Sequence, residues 1–183
     1  MSWTIRNDFA DPATVMEIEE QGDRTAAIMA GGYLEDFLAM SVKKLLVDDA
    51  KIIDGFFTGM GPLSSFSAKI DMAYLLRLTD DQNRNRMHII RRIRNDFAHD
   101  LSPLTFKSKR VADRCKALFN PDDLRKAVYD AQQSGLGPMG DAKGDPRRIY
   151  LNAIRLYVFY LDAGIMIVTR NRSTALRSRR QPT

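Results

Sequence analysis

Apolar residues recur along this chain at spacings of three and four, the periodicity of helices that bury one face. Sustained alternation of apolar and polar residues, which is typical of strands, is almost absent, and there is no Asn-Gly hairpin turn. The pattern therefore predicts an all-α fold: a single-domain helical bundle of about six to eight helices with no sheet.

Breakers and capping residues divide this pattern into segments. Helices are predicted over roughly residues 11–21, 23–47, 48–57, 63–78, 81–101, 108–119, 121–133 and 146–170. Capping signals that predict helix starts are Asp11, the segment Thr79-Asp80-Asp81, the segment Asn120-Pro121-Asp122-Asp123 and Asp145. The stretch from Ser134 to Gly144 contains four glycines and a proline, so an exposed, mobile loop is predicted there.

Two of these helices have unusual compositions. The predicted helix 63–78 is apolar nearly all round, which places it in the centre of the bundle. The second helix contains Gly31 and Gly32, which lower helix propensity, so we expect another helix to approach closely there. Helical spacing also puts Glu35 on the inward face of this helix, although a boundary position suits it equally.

The excess of positive charge in this sequence lies at its C-terminus. The chain has 183 residues, a formal net charge of +5 and a pI near 9.4. Five arginines fall in the last fourteen residues and equal that excess, so the remainder is neutral overall. We therefore predict a single α-helical domain over 1–170 and a basic, flexible tail over 171–183. A neutral body argues against a surface that coats nucleic acid.

The residues that bind metals or form disulfides are scarce. Cys115 is the single cysteine, and the two histidines lie eleven residues apart without a metalloprotease pattern. We predict no metal and no cofactor. No glycine-rich phosphate loop and no nucleophile elbow is visible, so enzymes acting on small molecules are disfavoured.

The sequence also bears on location. The N-terminus lacks the apolar core of a secretory signal. The most apolar run, 149–169, contains Asn152, Arg155 and Asp162, which favours a buried helix over a membrane span. A cytoplasmic protein with no membrane partner is the expectation.

The predicted helix 81–101 contains the most informative stretch of the chain. One face is apolar and is expected to pack on the bundle: Ile89, Ile90, Ile93, Phe97 and Leu101. The opposite face is a candidate interaction surface: His88, Arg91, Arg92, Asn95 and His99. If this second face is purely structural, it is a polar stripe exposed to solvent.

Arg94 lies at the flank of the apolar face, where a guanidinium needs a partner. The predicted partner, in a structural ion pair, is Glu35 or Asp36.

A catalytic interpretation of the same stretch combines Arg94 with His99. A guanidinium that neutralises a phosphate and an imidazole that moves a proton suffice for metal-free RNA cleavage. Asn95 is placed to orient the His99 ring. Five residues on an ideal helix turn two side chains about 140° apart. The pair therefore meets only if the helix ends or kinks near Ala98, or if a second subunit completes the site.

Two segments carry a resemblance to known proteins. They are GPLSSFSAKIDMAYLLRL, residues 61–78, and IRNDFAHD, residues 93–100. Together they resemble the mannitol operon repressor (MltR-like) family of bacterial all-helical proteins over about residues 25–101. The resemblance implies an α-helical domain that acts in repression of a sugar-alcohol operon.

The second segment is also similar to the Arg-x4-His motif of HEPN domains, helical bundles that often dimerise. Many of them cut RNA with that Arg and His, and others are inactive binding modules. This resemblance implies a phosphate-binding or structural role for Arg94 and a catalytic base at His99.

Two functions follow from these observations. The first is a transcription-regulatory protein, not an enzyme, that acts through a protein partner. A direct DNA-reading helix is disfavoured because the turn 78–81 places acids where phosphates would lie. The alternative is an RNA-binding module or metal-independent endoribonuclease using Arg94, His99 and Asn95. The sequence allows nucleic acid as a partner and a homodimer, and specifies neither.

Overall fold

A computed structural model of the chain describes residues 12–178, with the side chains of residues 16–171. This part contains eight helices and no strand, which confirms the all-α prediction. The helices are α1 (Pro12–Glu20), α2 (Asp23–Lys43), α3 (Ala50–Phe57), α4 (Phe66–Leu75), α5 (Asp81–His99), α6 (Lys109–Leu118), α7 (Pro121–Gln133) and α8 (Pro146–Ser178). The division into one domain and a flexible tail stays a prediction.

Side-chain caps fix where several helices begin. Asp80 accepts a hydrogen bond from the Asn83 amide, and Asn120 accepts from the amides of Asp122 and Asp123. Asp145 caps α8 in the same way, so the helix starts predicted from these three capping signals are confirmed. The predicted cap at Asp11 lies outside the described residues.

The ends of three helices differ from the prediction. The α2 helix ends at Lys43, four residues before Val47, and α4 covers only the middle of the predicted segment 63–78. Arg77, with φ of 61°, turns the chain after α4 so that the Leu78 amide bonds the Ala73 carbonyl. The α8 helix continues to Ser178, eight residues beyond the predicted end at Arg170.

The centre of the bundle is formed by α2, α5 and α8, with α4 on one flank and α6 and α7 on the other. Residues 149–154 of α8 are all buried. The prediction of a central α4 is wrong. This helix buries one face against α2 and α5, and Leu75 on another face is 71% exposed. By length and composition, Pro146–Asn171 of α8 could cross a membrane, but half of its most apolar window is buried in the bundle.

Close helix contact explains one of the two adjacent glycines in α2. An added methyl group at Gly31 would lie 2.7 Å from Cγ of Arg94 and 2.9 Å from the hydroxyl of Tyr150. At Gly32 it would meet nothing within 4 Å. The predicted close approach is therefore confirmed at Gly31 and wrong at Gly32. At Gly31, α2 contacts both α5 and α8.

We expect Gly31→Ala to destabilise the fold by about 1–2 kcal/mol, because overpacking a tight contact outweighs the gain in helix propensity. Tyr150 is fully buried and its hydroxyl donates to the Ala27 carbonyl, so it has little room to move. Gly32→Ala is the matched control and should stabilise by about 0.5–1 kcal/mol. Urea unfolding of both variants measures the difference. Equal stability of the two would contradict a close contact at Gly31.

Candidate functional site

The inward face of α5 agrees with the sequence prediction except at its end. Ile90, Ile93 and Phe97 are fully buried, and Ile89 is half-buried. The prediction is wrong at Leu101, which is 94% exposed. The helix ends at His99, so the helical register no longer applies to Leu101.

We call the opposite side, formed by His88, Arg91, Arg92, Asn95 and His99, the α5 face. Arg92 and His99 are exposed, while the other three residues are half-buried between neighbouring helices. Because α5 is packed by α2, α4, α6 and α8, only a narrow stripe of this helix reaches solvent. The α5 face supplies that stripe, and its role in binding stays a prediction.

His88 is tied to α4 by an ion cluster. Its Nε2 lies 3.1 Å from Oδ1 of Asp71, and Nε of Arg84 lies 2.7 Å from the same oxygen. Burial alone would raise the pKa of Asp71, but the hydrogen bonds from Arg84 and His88 outweigh it and lower that pKa. A carboxylate held charged beside His88 leaves this end of the α5 face close to neutral.

Arg91 and Arg92 make the middle of the α5 face cationic. Among the described residues, neither guanidinium has a carboxylate within 4 Å, and Nε of Arg91 is buried without an acceptor. Asp71 on α4 pairs with Arg84, and Asp96 on α5 pairs with Arg110 and Arg114. A partner that presents negative charge would therefore meet two guanidiniums with no competing internal carboxylate.

The predicted ion pair between Glu35 and Arg94 does not form. Oε1 of Glu35 lies 2.7 Å from Nζ of Lys69 on α4. Arg94 lies one helical turn away along α2, with its stem opposite Gly31, and its Nη1 donates to Oδ1 of Asn95 at 3.1 Å. Nε of Arg94 is buried and lacks an acceptor within the described part of the chain.

The three residues of the catalytic interpretation are only partly brought together. Arg94 and Asn95 are hydrogen-bonded, but α5 continues without a break through His99. Arg94 faces α2, and His99 is exposed at the last helical position, so α5 does not bring the two side chains together within one chain. No hydrogen bond among the described residues links His99 to either partner. Their catalytic role stays untested.

The sequence analysis did not predict the contact that stabilises the C-terminal end of α5, where His99 lies. The guanidinium of Arg24, on α2, donates to the carbonyls of Phe97, Asp100 and Ser102, of which the last two lie at 2.8 Å. Phe97 lies in the last turn of α5, where helix carbonyls lack intrahelical partners, and Asp100 and Ser102 follow the helix directly. The contact joins residues more than seventy positions apart, so local sequence gives no signal of it.

A second missed network fixes the α6 side of α5. Asp96 pairs with Arg114 and Arg110, and Asp100 pairs with Arg110 at 2.7 Å. Hydrogen bonds from Ser102 and Arg110 lower the pKa of Asp100 to about 2. Both acids are thus neutralised internally, which leaves the α5 face with its cationic character.

The described residues contain no cluster of three or more metal-ligating side chains. Cys115 is buried, and burial together with Asp145 raises the pKa of its thiol to about 12. A thiol in that state is a poor nucleophile and a poor metal ligand.

Comparison with known proteins gives one informative result. No protein-family model and no curated protein matches the chain. A solved structure with a similar fold is the X-ray structure of the MtlR–HPr complex from Escherichia coli. The alignment covers 88% of this chain and 99% of that chain, with 17% identity and a TM-score of 0.52. At this identity the likeness shows a shared fold. It supports the mannitol-repressor resemblance at the level of architecture and gives no support to the HEPN resemblance.

Proposed function

We propose that this chain is a regulatory protein of the mannitol-repressor type that acts by binding a protein partner. The observation that carries the proposal is the shared fold, which extends over nearly the whole of a chain solved in complex with the protein HPr. The segments 61–78 and 93–100 are the residues in which we see the resemblance to that family, and the proposal places its function on the helix that contains the second of them.

The surface proposed for this binding is the α5 face. Exposed Arg92 and His99 lie on a rigid helix, and the neighbouring Arg91 has no internal carboxylate partner among the described residues. Charged rims of this kind steer association and set specificity. The proposed partner accordingly presents acidic residues to this surface. HPr, the protein bound in the neighbouring structure, is the candidate to test first, and the proposed outcome is repression of a sugar-alcohol operon.

A protein partner also accounts for the charges at the start of α5. Asp80 caps this helix and Asp81 occupies its first turn. A helix that entered a DNA groove would need to accept phosphates near its N-terminus, which these acids repel. Regulation through a protein avoids that conflict.

We expect purified HPr from the host organism to bind the chain, and Arg92→Glu to weaken binding by at least about tenfold, as reversal of a well-placed interface charge does. Lys126→Glu is the matched control, because Lys126 is an exposed cation on α7, away from α5. Isothermal titration calorimetry at two salt concentrations measures both. Absence of binding at concentrations on the order of 100 μM would refute HPr as the partner. Equal loss in the two variants would refute the α5 face as the surface.

An RNA-cleavage assay in the presence of a chelator tests the alternative function. Because Arg94 and His99 diverge within one chain, cleavage would require a second copy of the chain to complete the site, and under the regulatory proposal we expect none. Cleavage that persists in chelator and disappears in both Arg94→Ala and His99→Ala would replace the regulatory proposal with a metal-independent ribonuclease.

A further inference from the structure

A cavity of about 170 Å³ lies between α7 and the loop that follows it, and one residue of α8 contributes to its wall. An engineered cavity of about 150 Å³ in another protein holds benzene, so this one has room for a small ring system. Much of its wall is apolar: Leu124 and Val128 of α7, and Met139 and Ala142 of the loop. No residue of the α5 face lines the cavity, so it is separate from the surface proposed for the protein partner.

Three side chains of α8 hold the loop in the position that forms the cavity. They lie on successive turns and each donates to a loop carbonyl: Arg148 to Asp141 at 3.4 Å, Asn152 to Gly140 at 2.9 Å and Arg155 to Pro138 at 3.1 Å. A stretch with four glycines has little conformational preference of its own. These bonds therefore give one wall of the cavity a defined shape, which a binding site needs.

Two carboxamides that line the cavity have hydrogen-bonding capacity that the chain does not use. Asn152 is 7% exposed, and its Nδ2 donates to the Gly140 carbonyl, which fixes the orientation of the amide. Its Oδ1 accepts no hydrogen bond from the described residues. The side chain of Gln132, half-buried in the same cavity, makes none within the described part of the chain. A buried amide oxygen without a donor is costly, so these groups point to a ligand that supplies hydrogen bonds.

The charged groups at the cavity already pair with each other. Nε of Arg125 lies 3.4 Å from Oδ2 of Asp141, and its Nη1 lies 3.1 Å from Oδ1 of Asp122. The other residues that line the cavity carry no charge. An anion would approach two carboxylates and a cation would approach a guanidinium, so the cavity suits a neutral ligand.

An aromatic ring is available at the rim of the cavity. Tyr129 lines the cavity, yet it is 61% exposed and stacks on no other ring among the described residues. An exposed aromatic ring is a surface on which a flat ligand stacks.

We propose that this cavity binds a neutral nitrogen heterocycle of the nucleobase type, as the free base or as its nucleoside. The faces of such a ring are apolar and match Leu124, Val128 and Tyr129. Its edge carries adjacent donors and acceptors for the carboxamides of Gln132 and Asn152. A polyol of similar size would place hydroxyl groups against the apolar wall, where they lack partners. The proposal rests on α7, α8 and the loop between them, and it is independent of the proposed function.

Titration followed by NMR tests the cavity directly. Of adenine, cytosine and uracil, at least one should bind the full chain with a dissociation constant on the order of 0.1–1 mM, as expected for a ligand of about ten heavy atoms. The backbone amides of residues 139–142 should shift on binding, and those of the α5 face should not. The preferred base distinguishes a purine site from a pyrimidine site. No binding of any of the three at concentrations on the order of 5 mM overturns the proposal.

Adjacent glutamines on α7 provide a matched pair of variants. Gln132→Leu removes the hydrogen bonds at nearly constant size, so it should weaken binding by about fivefold or more. Gln133→Leu is the control and should leave binding unchanged, since Gln133 is exposed and lies outside the cavity. Tyr129→Ala removes the ring at the rim and should also weaken binding by about fivefold or more. Equal loss in the two glutamine variants, or no loss in Tyr129→Ala, overturns the proposal.

Two further ligands test the chemical class. The monophosphate of the preferred nucleoside should bind no more tightly than the nucleoside itself, because Arg125 is already paired and the nearby carboxylates repel a phosphate. Sorbitol should not compete with the preferred base. Tighter binding of the monophosphate would assign the site to an anion, and displacement of the base by sorbitol would assign it to a polyol. Either result overturns the proposal.

Discussion

Replacing Phe106 by alanine is expected to lower the free energy of unfolding by about 3–5 kcal/mol, as truncation of a buried phenylalanine does. Its ring is 1% exposed and lies between Phe97 of α5, at 4.9 Å between centroids, and Tyr150 of α8, at 5.4 Å. Its amide donates to Asp23 of α2. One loop residue thus joins the three central helices. Urea unfolding measures the loss.

The control for Phe106 is Leu101→Ala in the same loop. Leu101 is 94% exposed, so its truncation should change stability by no more than about 0.5 kcal/mol. Similar losses at the two positions would mean that the loop does not pack as described. Hydrogen exchange adds a local test. The last turn of α5, which carries His99, should exchange faster in Phe106→Ala even under conditions where the variant stays folded.

The helices can be predicted from sequence because their signals are local. Asp80 and Asn120 mark helix starts, because their side chains accept hydrogen bonds from backbone amides only two or three residues further along the chain. The buried positions Ile90, Ile93 and Phe97 follow from helical spacing alone. Such features depend on residues within one turn, and the structure confirms them.

The contacts that define the candidate site depend on which helices are neighbours, and periodicity does not reveal that. Glu35 is largely buried, but it pairs with Lys69 of α4. Arg94 instead contacts α2 at Gly31, one helical turn before Glu35. The support of α5 by Arg24 joins distant parts of the chain. Leu101 belongs to the core only if the helical register is extended past the end of α5. Each error concerns tertiary placement or a helix end.

Lys69→Met is the second large effect that we expect, a loss of about 3–5 kcal/mol. The Lys69 and Glu35 side chains are 10% and 18% exposed, and their charged atoms lie 2.7 Å apart between α4 and α2. Methionine preserves most of the apolar stem but leaves the Glu35 carboxylate without a partner in a largely dry contact. Urea unfolding measures the cost. Arg125, which pairs at the surface with Asp122 and Asp141, is the control, since Arg125→Ala should cost less than about 1 kcal/mol.

A double-mutant cycle separates the charge from the packing. Replacing Glu35 by leucine in the Lys69→Met background removes the unpaired carboxylate, so most of the lost stability should return. Recovery of this kind would mean that the pair fixes which faces of α2 and α4 meet, with little net contribution to stability. If the double variant is instead as unstable as the sum of the single variants, the two side chains do not interact, and the contact between α2 and α4 must be held by apolar packing around Ile70 and Ala73.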